Sequence, residues 1–369
     1  MRKCRIAYLA CTAAIIGTGL GAAPPVTGHR IHLVAPGESI QKAVDAAQSG
    51  DTVLVSPGVY HESVTVKTPR LTLSGMGPGT VIEPGADAAT TAQTPSTTQT
   101  AGTKKSVSCA EAGNGICVLG TKEQDVEGVT VANLTVTGFA RAGVFGMATD
   151  GLTVRRVNAV RNAVWGIAQE RSVRSVLRDN SAQDNGDAGL FLANTINEEQ
   201  GAADTRGTLI ERNWLQGNRI GVTVRRLRDL TVASNRLTGN CAAVFLVGDE
   251  NKPKAGALTV RDNYVEHNNK SCPKTDRLPA IQGSGIVLTG TEDVLVTGNT
   301  IKDNVGSSPL SGGIVLFKSF VGVTSERNRI QDNALRGNAP ADIVNTETNK
   351  GSNTFQRNSC RASTPAGLC

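Results

Sequence analysis

The sequence predicts an all-β solenoid: short strands wound into stacked coils, with one short helix closing the N-terminal end. Three observations carry this. An asparagine phrase recurs between residues 180 and 333, and a short apolar strand phrase follows most of its copies. Only 3% of the 369 residues are aromatic while 41 are glycine, which suits a narrow repeated core better than a broad globular one.

The asparagine phrase reads LIERNWLQGN at 209–218, TVASNRLTGN at 231–240 and LVTGNTIKDN at 295–304. An apolar residue follows the first Asn by two positions, and a second Asn follows it by five. The pairs are Asn180/Asn185, Asn213/Asn218, Asn235/Asn240, Asn263/Asn268, Asn299/Asn304 and Asn328/Asn333, with first members 33, 22, 28, 36 and 29 residues apart. The shortest interval defines the unit, and longer ones carry loops such as 194–207 and 269–283. The second phrase is GLFL (189), GVTV (221), AVFL (243) and GIVL (285 and 313). A unit of about 22 residues with three short strands is a solenoid coil.

Three strands per coil require bends, where the backbone enters a left-handed region that Asn and Gly tolerate best. Asparagines at one bend of successive coils stack at the strand spacing, roughly 4.8 Å, and their amides can bond along the column. Asn180, Asn213, Asn235, Asn263, Asn299 and Asn328 are therefore expected to form a structural ladder.

The coil opening is GESIQKAVDAAQSGDTVLVSPGVYHESVTV, 37–66. Ile40, Ala43, Val44 and Ala47 fall at helical spacing, and Gly50 ends the helix. Alternating strands then flank a Ser-Pro-Gly turn. Such a helix is a lid for an open hydrophobic end.

The N-terminus, MRKCRIAYLACTAAIIGTGLGAAPP, has the basic start, apolar run and small residues of a secretory signal. Residues 1–22 are assigned to it, with cleavage near Gly21 or Ala22, and the run is too short and Gly-interrupted for a stable membrane span. Cys11 follows Tyr8-Leu9-Ala10, a poor lipoprotein box. The mature chain is expected to be secreted, and monomeric. Its six cysteines suggest disulfides, with zinc as the rival reading, although no C-x-x-C or nearby His pair is present. Nearest-neighbour pairing gives Cys109–Cys117, Cys241–Cys272 and Cys360–Cys369. Residues 83–115 hold a Thr/Ala/Ser-rich insertion that lacks the apolar content to order itself, and 350–369 read as a disulfide-tied tail. Without Arg2, Lys3 and Arg5 the balance is 35 basic to 32 acidic residues, so no nucleic-acid partner is indicated.

With these motifs in place, residues 31–349 resemble the right-handed parallel β-helix, pectin-lyase-like superfamily. The opening IQKAVDAAQSGDTVLVSPGVYHESVTV and the N-x-[IL]-x-x-N…G-[IV]-x-[LV] repeat carry the resemblance. It implies an exported protein acting on, or binding, polysaccharide. The Asn-Thr-Asp and Gly-His-Gly runs of polygalacturonase-like hydrolases, the Asp-Pro-His-Asp of alginate epimerases and the Arg-x-Pro-x-x-Arg of pectate lyases are all missing, so no catalytic set carries over.

Stacking the coils supplies candidates directly. The first outward column reads Phe145, Ala168, Phe191, Thr223, Phe245, Val287, Val315. Its phenylalanines, Phe191 and Phe245 among them, either stack on sugar rings or are roofed by a loop, and covered apolar surface is the favoured reading. Just beyond the strand lie Ala148, Arg171, Asn194, Arg226, Gly248, Gly290 and Lys318, with Glu170, Arg225, Asp249 and Glu250 beside them. Arg171, Asn194, Arg226 and Asp249 would fall on consecutive coils. Arginine forks suit uronate carboxylates. A lyase or epimerase needs that neutralisation plus a base at C5, for which Lys318 or an arginine is the candidate. Asp249 and Glu250 are candidate calcium ligands. An ion-pair strip on a solvated surface explains the same residues without a substrate. Scattered histidines and few methionines argue against a metal centre based on His or copper. The leading expectation is a polysaccharide lyase or C5-epimerase-like enzyme on uronate polymers; the alternative is a non-catalytic binding solenoid.

Overall fold

The computed structural model describes residues 28–85, 108–276, 278–347 and 352–369. The expected signal segment and residues 86–107 of the expected insertion lie outside the described residues.

Ser39 caps the helix Ile40–Ala46, its side chain accepting from Lys42 N. Glu62 adds to that cap by accepting from the backbone N–H groups of Ile40 and Gln41. These bonds satisfy donors that a helix start leaves open. Ile40 and Val44 face down and join the core at 0% and 2% exposure. The helix is a lid.

Below it the chain coils. Eleven parallel strands form one sheet, running from Val64–Val66 through Trp165–Glu170, Ala188–Ala193, Ile220–Arg225, Ala242–Val247 and Ser284–Thr289 to Ser363–Thr364. The other sheet has 21 strands. It folds lengthwise along a column of left-handed residues, where Arg156, Asp179, Arg212, Ser234, Asp262 and Asp332 have φ of 52–56°. One strand sheet and the two halves of the other make the three sides of the solenoid. Val222, Val224, Val244, Leu246, Ile286, Leu288, Ile314 and Leu316 point inward at 0–1% exposure. Burial of each such side chain contributes about 1.5–3 kcal/mol relative to exposure.

Two asparagine ladders run beside this core. In the first, Asn180, Asn213, Asn235, Asn263, Asn299 and Asn333 each pass a side-chain N–H to the next Oδ1, ending on Asn358. The second links Asn162, Asn185, Asn218, Asn240, Asn268, Asn304 and Asn338 and ends on Asp342. The left-handed position belongs not to the asparagine but to the residue before it, as at Asp179, Asp184, Arg212, Ser234, Asp262 and His267. Asparagine is there because its amide satisfies buried bend groups on two coils at once.

One expected ladder member is displaced. Asn299 meets Asn333, whereas Asn328 starts a separate short column by donating to Asn353. Asn328, Asn333 and Asn338 are equally spaced, so periodicity alone cannot choose the register. The core chooses it: Val296 must stand beside Ile330 and Ile301 beside Leu335.

The C-terminal segment is also more than a tied tail. Thr354–Gln356 pairs with Arg329–Gln331, and Ser363–Thr364 with Ile343–Val344. Phe355, Cys360 and Leu368 pack against the core end. Residues 352–369 thus form a last coil that closes the solenoid. Disulfides join Cys109 to Cys117, Cys241 to Cys272 and Cys360 to Cys369.

Candidate functional site

The outer face of the eleven-stranded sheet carries the Phe145–Ala168–Phe191–Thr223–Phe245–Val287–Val315 column in unbroken register. From Phe191 onward the column is roofed. Phe191 and Phe245 are 6% and 4% exposed, in a second apolar cluster with Ile196, Cys272, Ile281 and Leu310. The loops bringing those residues fold over because bare apolar surface is costly in water. The Cys241–Cys272 bond ties one loop down. Arg219, 7% exposed, holds the same loop by donating to the carbonyl oxygens of Pro273 (2.7 Å) and Pro279. Phe191 and Phe245 therefore present no open ring face to a ligand.

The expected arginine strip serves the same roof. Arg226 is left-handed at φ 53° and 1% exposed. Its guanidinium meets Asp249 Oδ2 at 3.2 Å and donates to the carbonyls of Thr195 (3.0 Å) and Glu198 (2.7 Å). Asn194, 3% exposed, donates to the carbonyls of Gln200 and Gly201. Arg225 donates to Ile196 O, and Glu170 accepts from Ile196 N. Arg226, Asp249 and Asn194 are brought together as expected, but they clasp the loop after Ala193 rather than line an open groove. Lys318 stands apart: it is exposed, and three coils separate it from Arg226, about 14 Å at the strand spacing. Arg171 is part-exposed beyond Glu170.

Calcium finds no site in this strip. Asp249 is committed to Arg226 and, through Oδ1, to Asn251, while Glu250 is exposed. Among the described residues no three His, Cys, Asp or Glu side chains converge as metal ligands.

At the preceding coils partly exposed charged side chains stand at the edge of the roof. Trp165 stacks on Phe191 with centroids 4.7 Å apart, and the Arg141 guanidinium lies 5.2 Å from the Trp165 ring centre. Trp165 Nε1 donates to Asp187 Oδ2 at 3.0 Å. Arg141, Phe145, Glu170, Arg171 and Asp187 are partly exposed around this buried ring pair. Burial pushes the Asp187 carboxyl above the usual carboxylate range, only partly offset by the Trp165 hydrogen bond and the Arg219 charge. Burial also lowers the Arg141 guanidinium, against the pull of Glu170. Trp165 is 6% exposed, as Phe191 is, so the arrangement offers no open ring face but a half-desolvated cation and a carboxyl of raised proton affinity. Such a set can bind a carboxylate, or move a proton.

Arg141, Trp165 and Asp187 were not among the sequence candidates. Extending the coil stack one residue upstream of the strand phrase gives Arg141, Val164, Asp187, Arg219 and Cys241, an alternation of charge that was legible. The stacking of Trp165 on the next coil's Phe191 was not, because it depends on how the side chain leans.

Comparisons with known proteins agree with this architecture. Residues 98–257 match the family described as right handed beta helix region, and residues 194–364 match the periplasmic copper-binding protein NosD. The A-module of the mannuronan C-5 epimerase AlgE4 from Azotobacter vinelandii is 17% identical, with a TM-score of 0.55 over 87% of this chain and 90% of that one. The DFA-IIIase of Arthrobacter chlorophenolicus A6 is 12% identical, at 0.56 over 89% and 83%. The Dettilon tailspike protein is 14% identical, at 0.55 over 90% and 61%. No curated protein matches the sequence. The chain folds as a right-handed parallel β-helix, as these structures do. Copper does not fit its donors: His32 bonds Asp51, while His61 faces Glu83 and His267 faces Glu266. No described helix is long and apolar enough to cross a membrane.

Proposed function

We propose that this chain is an exported β-helix protein that recognises uronate-containing polysaccharide at the surface edge formed by Arg141, Phe145, Glu170 and Asp187. The observation that supports this reading is the Arg141 guanidinium over a Trp165 ring already stacked on Phe191. The carboxylate of a uronate suits the guanidinium fork. Likeness to a mannuronan C-5 epimerase, a DFA-IIIase and a tailspike protein supports a carbohydrate ligand. Three disulfides suit an oxidising compartment outside the cytoplasm.

Binding without turnover is favoured because Arg226 and Asp249, two of the four expected catalytic residues beside Lys318 and Arg171, are consumed in the roof. A lyase or C5-epimerase reading rests on one feature, the proton affinity of Asp187. In that case the ionised Asp187 carboxylate takes the C5 proton while Arg141 neutralises the uronate carboxylate. In a lyase the electron pair forms the C4–C5 double bond and expels O4.

Affinity electrophoresis against pectate, alginate and glycosaminoglycans tests the binding claim, with absorbance at the unsaturated-uronate band and proton NMR recorded on the same samples. Retardation that Arg141→Ala abolishes, with flat absorbance and unchanged NMR, is the expected result. No retardation by any acidic polymer would overturn the reading. Product formation lost in Asp187→Asn would replace it with the enzymatic one.

A further inference from the structure

The 21-stranded sheet carries an exposed file of residues that the fold does not require. Ser181, Trp214, Arg236, Tyr264, Thr300 and Ala334 stand beside one another on six successive coils. The residue after each is buried, so each short strand lies flat with one side chain inward and two outward. Trp214 is 47% exposed, the largest apolar side chain left in water on this flat side. Scattered exposed apolar residues are ordinary, but Trp214 belongs to an arranged set. One coil on, Arg236 lies over the Tyr264 ring at 5.5 Å, and Lys302 approaches the same ring at 4.9 Å. Glu266, 8% exposed, bonds Arg236 at 2.8 Å and meets Lys302 at 3.2 Å. That carboxylate fixes both cations beside the tyrosine, leaving the Arg236 side chain 61% exposed.

The spacing identifies the partner. Trp214 and Tyr264 are two coils apart, about 10 Å at the strand spacing. That is comparable with the length of a disaccharide unit, so alternate rings of an extended chain running along the solenoid axis can meet alternate aromatic residues. Arg236 lies between the two rings and Lys302 beyond the second, where carboxylates of intervening sugars would fall. The two outward columns hold Arg236, Lys302 and Arg336 against Glu266 alone, so the face complements an anionic chain.

We infer that the Trp214–Arg236–Tyr264–Lys302 file is a second polysaccharide-binding platform, which takes a carboxylated sugar chain lengthwise on a different sheet from the Arg141–Asp187 edge. It holds polymer without chemistry, and it stands independently of the reading of that edge.

The chain has two tryptophans, one in each place. In a Trp165→Phe chain only Trp214 emits, and in a Trp214→Phe chain only Trp165. Each is titrated with hexamers of galacturonate and of mannuronate, and with a neutral glucose hexamer, while acrylamide quenching is followed. Acidic hexamers are expected to shield Trp214 from quenching, monomers to fail, and the neutral hexamer to bind more weakly. Tyr264→Ala and Arg236→Ala should each weaken binding about fivefold, the effect of truncating a residue worth about 1 kcal/mol. If Trp165→Phe does not fold, the same titration of the otherwise native chain, with and without Tyr264→Ala, decides. Unchanged Trp214 quenching overturns the platform, whatever Trp165 does. Shielding of Trp214 supports the platform whatever Trp165 does, since a ring 6% exposed is already screened from acrylamide. Shielding that grows with protein concentration and needs no sugar would mark a self-association face instead, and overturn the proposal.

Discussion

Arg226 and Asp249 meet at 3.2 Å with the guanidinium 1% exposed, and the same guanidinium closes on the carbonyls of Thr195 and Glu198. A residue placed where an outward catalytic strip was expected is thus the clasp of a loop. Arg226→Ala leaves Asp249 and two carbonyl groups without their donor, and breaking a pair of this kind costs about 3 kcal/mol. Denaturant unfolding should show that loss, and limited proteolysis should show new cleavage within 194–201. Arg226→Lys is expected to rescue little, because one ammonium cannot span three acceptors fixed for a fork. Binding of acidic hexamers at the Trp214 face should be unaffected.

The coil architecture was legible because its determinants are local and repeated. The Val222/Val224 to Ile314/Leu316 alternation and the Asn213/Asn218 spacing each report on one bend or one strand. The Asn328 register was not legible, since three equally spaced asparagines offer two alignments and only core packing of Ile330 and Leu335 selects one. The site was less legible for a related reason. Column stacking placed Arg226 beside Asp249 correctly, but whether a column faces solvent depends on loops such as 194–201 and 269–283, whose course no periodicity encodes. The same blindness hid Trp165, which matters through its lean toward Phe191.

Asn263 accepts both the backbone N–H and the side-chain N–H of Asn235, at 2.9 and 3.0 Å, and donates to Asn299 and to Val232 O. Asn263→Ala strands several buried donors and acceptors, each costing about 1–3 kcal/mol when left unpaired. Asn358 ends its column and has no further asparagine to serve, so Asn358→Ala should cost less. Urea midpoints of the two variants provide the comparison; equal losses would show that the ladder does not act through its neighbours.

Gly298 has φ of +67°, and a Cβ placed there would lie 2.6 Å from Asp262 Oδ1 of the preceding coil. Gly298→Ala therefore meets two separate costs, left-handed backbone of about 1–2 kcal/mol and a clash with the Asp262 carboxylate. In an Asp262→Ala background only the first remains. A double-mutant cycle read by thermal unfolding should show the two substitutions partly compensating, with simple additivity counting against the clash.

Asp187 gives the pH dependence its sign. Burial raises its native proton affinity above that of the unfolded chain, so the native state binds the proton more tightly. Its contribution to stability is present in full below the unfolded value, about 3.9, and is lost as pH rises through the higher native value. Uronate binding at the Arg141–Asp187 edge should weaken over that same upper window, because an ionised Asp187 adds a negative charge beside an anionic ligand. Asp187→Asn keeps an acceptor for Trp165 Nε1 and cannot ionise, so it should flatten both profiles and retain tight binding at the higher pH. Unfolding midpoints and affinity electrophoresis measured across the same pH series check the two together. A binding profile that keeps its slope in Asp187→Asn would assign the titration to the sugar carboxylate instead.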